Sequence, residues 1–399
     1  MKKVLLLTNI YPTKDPNYGG TKVCHFFSTE WVKMGYDVQV IHFDSVFPCA
    51  YTAVGRMFKS VIQAKTGCVV NVSAPRKPEE YKIDNVNVLF VPLKKYIPHS
   101  IPSKSVLEQA YMYIINFLKA RNFQPDVISA HFTLPQLYYI YRFKLDFPNL
   151  KTALVLHDGG QYLKATYKEK CSKYMEAVDV WGFRSEAFRR QFAEIFGVPQ
   201  RSFLCYSGIP SDYIELDSKH FENKISKFVF LGSLYNLKNV DVSLRALNKV
   251  FPNKDFSFDI VGAGAEFGNL KKLANELAIS EQVKFHGRLK RDESQKILKE
   301  AEVFVMVSQH EAFGLVYLEA MAKGCITIAT KGQGFDGIII NGVNGFLCEQ
   351  NNIEALSEVI EKIINMKTED LNDISRKALE TARIMTNEKV ALDYITSIS

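Results

Sequence analysis

No two cysteines of this 399-residue chain are spaced to hold a metal or to frame a small fold. The seven (Cys24, Cys49, Cys68, Cys171, Cys205, Cys325, Cys348) are odd in number and never form Cys-x-x-Cys. That argues against a disulfide framework and against a zinc site, and the expectation is small apolar residues in a reduced compartment. No stretch approaches the ~20 apolar residues of a membrane helix. The opening MKKVLLLTNIYP imitates a signal peptide, but its apolar run stops at Leu7 and no small-residue cleavage site follows. The expectation is a cytoplasmic protein. A Gly-x-x-x-x-Gly-Lys-Ser/Thr loop is missing, which removes a P-loop ATPase. Gly262-Ala263-Gly264 follows a strand-like run, yet Phe267 stands where a third glycine is due. A nicotinamide cofactor is therefore not expected. Helix-turn-helix, zinc-finger and RNP patterns are absent as well, so no nucleic-acid partner is expected.

What is present is ample material for two cores, with 47% hydrophobic and 12% aromatic residues. The net charge of +7 is unevenly placed: residues 1–210 hold 27 Lys+Arg against 16 Asp+Glu, the remainder 23 against 27. The basic half suits an anionic partner such as lipid headgroups or a phosphorylated carrier, or serves only solubility. The runs Val4–Thr8, Asp37–Phe43, NVNVLFVPL, PDVISAH and KTALVLHD read as strands separated by helical segments. A polar, turn-rich stretch over 205–227 interrupts this pattern. It restarts with Lys227–Leu231, SFDIVGAG, QVKFHGRL, VFVMVSQH and CITIAT. The fold class expected is α/β, with two Rossmann-like doubly wound domains facing across a cleft. The boundaries are 1–205 and 206–386, with a final helix, 387–399, packing back on the first domain.

Ligands of open parallel sheets bind beyond the carboxyl ends of the strands, so the loops there carry the search. The segment SQHEAFGLVYLEAMAKG stands out. A strand ends in a polar turn, and Glu311, Ala312, Phe313 and Gly314 open a helix that continues to Lys323. Gly314 permits close backbone approach, and the N–H groups of Phe313, Gly314 and Leu315 offer an anion site at a helix start. Glu319 lies inside an otherwise apolar helix, where a carboxylate needs a partner. Ligand hydroxyls would supply one; a salt bridge is the bland alternative.

The spacing Glu311-x7-Glu319 within E-A-F-G-x-x-x-L-E-A-M-A-x-G resembles the signature of family 4 of the retaining glycosyltransferases, which have the GT-B fold. YPTKDPNYGGTKV, PDVISAH, VLHDGG, FLGSLYNLKNVD, IVGAG, VKFHGRL and NGVNGFL are similar to that family's other landmarks, in the family's order. The resemblance is weakest over 45–105. It implies a retaining, metal-independent transfer of a sugar from a nucleotide-diphosphate sugar, a co-substrate rather than a cofactor. The acceptor would be a hydroxyl of a glycan or lipid-linked molecule in cell-surface polysaccharide synthesis, with peripheral contact at an anionic inner membrane face. No Asp-x-Asp metal-binding pair occurs. By the same resemblance Glu319 would bind the ribose, Glu311 the transferred sugar, and the N–H groups of Phe313, Gly314 and Leu315 the sugar or its phosphates. Lys238 would neutralise the diphosphate, with the Gly19–Gly20 loop, Gly20 in particular, approaching it. His157 would bond a sugar hydroxyl near the reacting carbon. The family often has arginine where Ser233 stands, which leaves Arg288 or Arg291 open as a second cation.

Two other classes are weighed: a GT-B nucleotide-sugar epimerase, which shares the architecture but is not expected to carry the Glu311/Glu319 helix, and a non-catalytic nucleotide-sugar-binding protein. His131 is read as structural. The aromatic, basic-ended segment Val106–Phe123 fits a helix packed on the sheet better than one resting on a membrane surface.

Overall fold

The computed structural model describes residues 2–13, 22–48, 57–58, 77–96, 101–222 and 224–399. It divides into two compact units. The first is Met1–Arg184, Phe188–Cys205 and Val390–Ser399; the second is Ser185–Ala187 and Tyr206–Lys389.

In the first unit the elements run β1 (Lys3–Thr8), α1 (Val23–Lys33), β2 (Asp37–Val46), β3 (Glu79–Ile83), β4 (Val86–Lys94), α2 (Lys104–Ala120) and β5 (Val127–His131). They continue with α3 (Gln136–Asp146), β6 (Lys151–Leu156), α4 (Gln161–Tyr167), α5 (Cys171–Met175), β7 (Val180–Phe183), α6 (Glu186–Phe196) and β8 (Ser202–Leu204). Among the described residues these strands make an eight-stranded sheet in the order β3-β4-β2-β1-β5-β6-β7-β8. All pairs are parallel except β3–β4. Strands such as β1 (KVLLLT) and β5 (VISAH) are apolar on both faces because helices cover both sides. Helix α2 starts at Ser103, whose side chain accepts from the Val106 N–H, and buries Leu107, Ala110, Tyr111, Ile114, Ile115 and Leu118. Burying such side chains contributes roughly 1.5–3 kcal/mol each. Met112 and Tyr113 stay exposed on its other side.

The antiparallel edge strand β3 is not among the sequence-read strands. Its residues, EEYKI, are charged and mostly exposed, as suits a sheet edge that must not recruit another chain. The signal for it was the turn: Asp84 and Asn85 both have positive φ, the requirement of a two-residue hairpin loop.

The second unit runs β9 (Lys227–Leu231), α7 (Val240–Val250), β10 (Ser257–Val261), α8 (Phe267–Glu276), β11 (Val283–Gly287), α9 (Arg291–Glu300), β12 (Val303–Val305) and α10 (Leu315–Ala322). Then follow β13 (Ile326–Thr330), β14 (Phe346–Cys348), α11 (Ile353–Ile364), α12 (Thr368–Arg383) and α13 (Asn387–Ile398). Among the described residues its six strands are all parallel, in the order β11-β10-β9-β12-β13-β14. Helix α13 begins in this unit and ends in the first. There Trp31 Nε1 donates to the Ala391 carbonyl (2.9 Å), and Tyr394 meets the rings of Phe27 and Trp31 edge-on.

Both sheets reverse winding direction once, between β1 and β5 and between β9 and β12. That is the switch point at which doubly wound sheets bind ligands. No described helix is long and apolar enough to cross a membrane.

Candidate active site

At the second unit's switch point two loops are tied together. Asn239, at the start of α7 with φ +50°, donates from Nδ2 to the Val307 carbonyl beyond β12 (2.8 Å), and Gln309 N donates to Leu237 O (2.7 Å). This brings Lys238 against Glu311: Nζ and Oε2 lie 2.6 Å apart, with both side chains largely buried. The residues after Glu311 turn sharply into α10. Gly314 has φ +83°, and a Cβ there would lie 2.4 Å from two ring carbons of Tyr317. Tyr317 in turn donates to the Met306 carbonyl (2.7 Å), which fixes the helix to the end of β12. The N–H groups of Gly314 and Leu315 have no protein acceptor among the described residues. Phe313 is buried, its ring against Tyr206 and Phe335.

Glu319 is 7% exposed on α10, and its partner is not left to a ligand. Arg291 Nη2 sits 2.5 Å from Oε1, and Gln295 Nε2 donates to Oε2 at 3.1 Å. Arg291 and Gln295 are one turn apart on α9, so both face α10. The Arg291 guanidinium also lies over the Tyr213 ring, 4.9 Å from its centre. This corrects two expectations. The buried carboxylate is satisfied by a salt bridge, and Arg291 is committed to Glu319 instead of standing beside Lys238 as a second cation. Arg288 and Ser233 are exposed, and neither side chain has a partner among the described residues. The signal for the Arg291–Glu319 pair was the Arg291/Gln295 spacing on an amphipathic helix, but its partner lies 24 residues beyond Gln295.

The glycines of Gly262-Ala263-Gly264 have a packing reason. A Cβ on Gly262 would lie 1.8 Å from the Gly232 carbonyl oxygen, and one on Gly264 2.2 Å from that of Leu234. They let the loop after β10 press on the loop after β9, which carries Ser233.

In the first unit His157 follows β6. Phe132, at φ +71°, stacks its ring on the imidazole, with centres 3.9 Å apart. His157 Nε2 is 3.0 Å from His131 Nδ1, and His131 Nε2 is 3.1 Å from the Tyr394 hydroxyl. Burial, and then the nearby Arg184, push His131 well below the ordinary histidine range; His157 is pushed down by burial, His131 and Arg184. Both rings are neutral at pH 7. Sequence reading placed His131 as structural without its partners, since Tyr394 lies 263 positions away. Gly20, with Gly19, lies outside the described residues.

The family model for glycosyl transferases group 1 matches this second unit almost throughout, from residue 214 to 381. Residues 214–381 are a glycosyl transferases group 1 domain. Over a longer span, 297 residues, the chain is 27% identical to an uncharacterized glycosyltransferase of Methanocaldococcus jannaschii, covering 72% of this chain and 77% of that one. Among solved structures, a glycosyltransferase from Rickettsia africae superposes with a TM-score of 0.70 at 16% identity, over 100% of this chain and 97% of that one. Anabaena HepE in complex with UDP gives a TM-score of 0.68 at 16% identity, over 100% and 99%. The fold is GT-B, two Rossmann-like α/β units. The group 1 domain contains both Glu311 and Glu319 with their cationic partners.

Proposed function

We propose that this protein is a retaining glycosyltransferase. It transfers a sugar from a nucleotide-diphosphate sugar to a hydroxyl of a glycan or lipid-linked acceptor in cell-surface polysaccharide synthesis, without a metal. The observation that carries the reading is a pair of carboxylates flanking the start of α10: Glu311 just before it, held by Lys238 from the loop after β9, and Glu319 within it, held by Arg291 of α9. Glu319, on the Arg291 side, takes the ribose; it keeps unused lone pairs while bonded to Arg291 and Gln295. Glu311 takes the transferred sugar. Lys238 and the unpartnered N–H groups of Gly314 and Leu315 meet the diphosphate, and Ser233 and Arg288 border it.

As the sugar–phosphate bond breaks, negative charge grows on the diphosphate and positive charge on the sugar. A fixed ammonium and a helix start stabilise the anion. The acceptor hydroxyl attacks the face that the diphosphate leaves, and a phosphate oxygen takes its proton, so the anomeric configuration is kept without a protein nucleophile. Neutral His157 bonds a hydroxyl of the transferred sugar. The basic residues 1–210 favour an anionic acceptor or an anionic membrane face.

The test is thermal stability against a panel of nucleotides and nucleotide-sugars in chelator, with Glu319→Ala beside the parent. A ligand at a hundred times its dissociation constant adds ~2.7 kcal/mol. One nucleoside diphosphate should stabilise the parent and not the variant; equal response of both sinks the placement. Turnover of the donor with no acceptor present would favour an epimerase, and binding without turnover a binding protein.

A further inference from the structure

Ser129, His131, His157 and Tyr394 form one buried line of hydrogen bonds in the first unit. Ser129 Oγ bonds the Tyr394 hydroxyl, that hydroxyl bonds His131 Nε2 (3.1 Å), and His131 Nδ1 bonds His157 Nε2 (3.0 Å). Ser129 and His131 are wholly buried and Tyr394 is 1% exposed. The protons along such a line have only two consistent orders.

In one order His157 Nε2–H donates to His131, His131 Nε2–H to Tyr394, and Tyr394 to Ser129. The Ser129 proton is then a buried donor with no acceptor among the described residues, a state folded proteins avoid. In the other order Ser129 donates to Tyr394, Tyr394 to His131 Nε2, and His131 Nδ1–H to His157 Nε2. Every proton on the buried Ser129, Tyr394 and His131 then has an acceptor. The only one left over is on His157 Nδ1, which has no protein partner among the described residues. Both rings are uncharged in either order, since burial and the Arg184 guanidinium oppose a proton on them.

We infer that Tyr394, acting through His131, fixes His157 as the Nδ1–H tautomer, so that His157 can only donate and the ligand oxygen it meets must accept. The free neutral histidine side chain prefers the opposite tautomer, Nε2–H, so the line works against an intrinsic bias. Tyr394 and His131 are positioning residues for His157, and Tyr394 is supplied from α13. The catalytic consequence rests on the function proposed above; the tautomer itself does not.

The experiment is a long-range proton–nitrogen correlation spectrum of the full chain labelled with [15N]histidine, with His157 assigned by the signal lost in His157→Gln. The result expected is Nδ1–H on both His157 and His131. Tyr394→Phe keeps the ring that packs on Phe27, Trp31 and Phe203 and should turn His157 toward Nε2–H. Ser129→Ala should leave His157 unchanged, because Ser129 only donates. In transfer assays Tyr394→Phe should lower kcat about tenfold with nucleotide affinity unaltered. His157 found as Nε2–H in the parent, or an unchanged His157 in Tyr394→Phe, overturns the inference. If Tyr394→Phe fails to fold, the parent spectrum alone decides. If the tautomers appear as described but no sugar transfer is found with any donor, the proposed function fails and the tautomer assignment stands.

Discussion

Gly314→Ala tests whether the turn into α10 has the geometry described, because two separate costs meet at one methyl group. Gly314 sits at φ +83°, where an L-residue pays about 1–2 kcal/mol. The added Cβ would lie 2.4 Å from Cδ2 and Cε2 of Tyr317, so the ring must move by roughly 1 Å to reach ordinary contact. Tyr317 is 1% exposed, with its ring against Phe304 and Phe335 and its hydroxyl on the Met306 carbonyl. Moving it breaks that bond, and a buried polar group left unpaired costs about 1–3 kcal/mol. The sum is about 2–5 kcal/mol, a large part of an ordinary domain's stability. For a unit of this size that corresponds to a fall in melting midpoint of about 10 °C. Calorimetric or dichroism melts check it, with Tyr317→Leu as a second background in which the clash is relieved. There the added cost of Gly314→Ala should shrink to about 1–2 kcal/mol, the backbone term alone. A parent-background midpoint within about 2 °C of wild type would refute the reasoning.

Lys238→Gln should lower kcat by about 10²–10³, the scale for losing one preorganised charge stabiliser; an unchanged kcat removes Lys238 from the reaction. His42 is wholly buried, and burial holds it at about 4, against 6.5 for the free side chain. The unfolded chain therefore takes up the proton first, so stability is complete above pH 6.5 and falls as the pH drops toward 4. Between pH 7 and 5 His42 alone should cost about 2 kcal/mol in urea unfolding. His25, His131 and His157 are also pushed down and act in the same direction. A slope that stays the same in His42→Phe would count against this. Cys24, Cys205 and Cys348 are pushed up to about 12 and Cys325 to about 11, all chiefly by burial. Native-state alkylation mapped by mass spectrometry should leave these four unlabelled; rapid labelling of any of them means that the core around it opens.

The parallel sheets were readable because strands covered on both faces become apolar runs, and VLLLT, VISAH and FVFL have no other simple reading. Glu311, Gly314 and Glu319 were readable because a polar turn, a glycine and a helix follow one another within a dozen residues. The partners were not. Arg291 meets Glu319 across 28 positions and Tyr394 meets His131 across 263, and nothing in local periodicity encodes such distances. The edge strand β3 stayed hidden because the charge that protects it from aggregation also disguises it. Gly262 and Gly264 look like ligand glycines, but their constraint is a neighbouring backbone.

The first unit is discontinuous, since Val390–Ser399 completes it. During synthesis those residues are delivered only after the whole second unit. Trp31, Phe27 and His131 therefore wait through all of residues 206–389 for their final neighbours, although they are among the earlier residues made. The first unit is then completed only after the second, reversing the usual vectorial order of these two. A chain stopped before Val390 would keep the second unit and leave the first as an incomplete, aggregation-prone core.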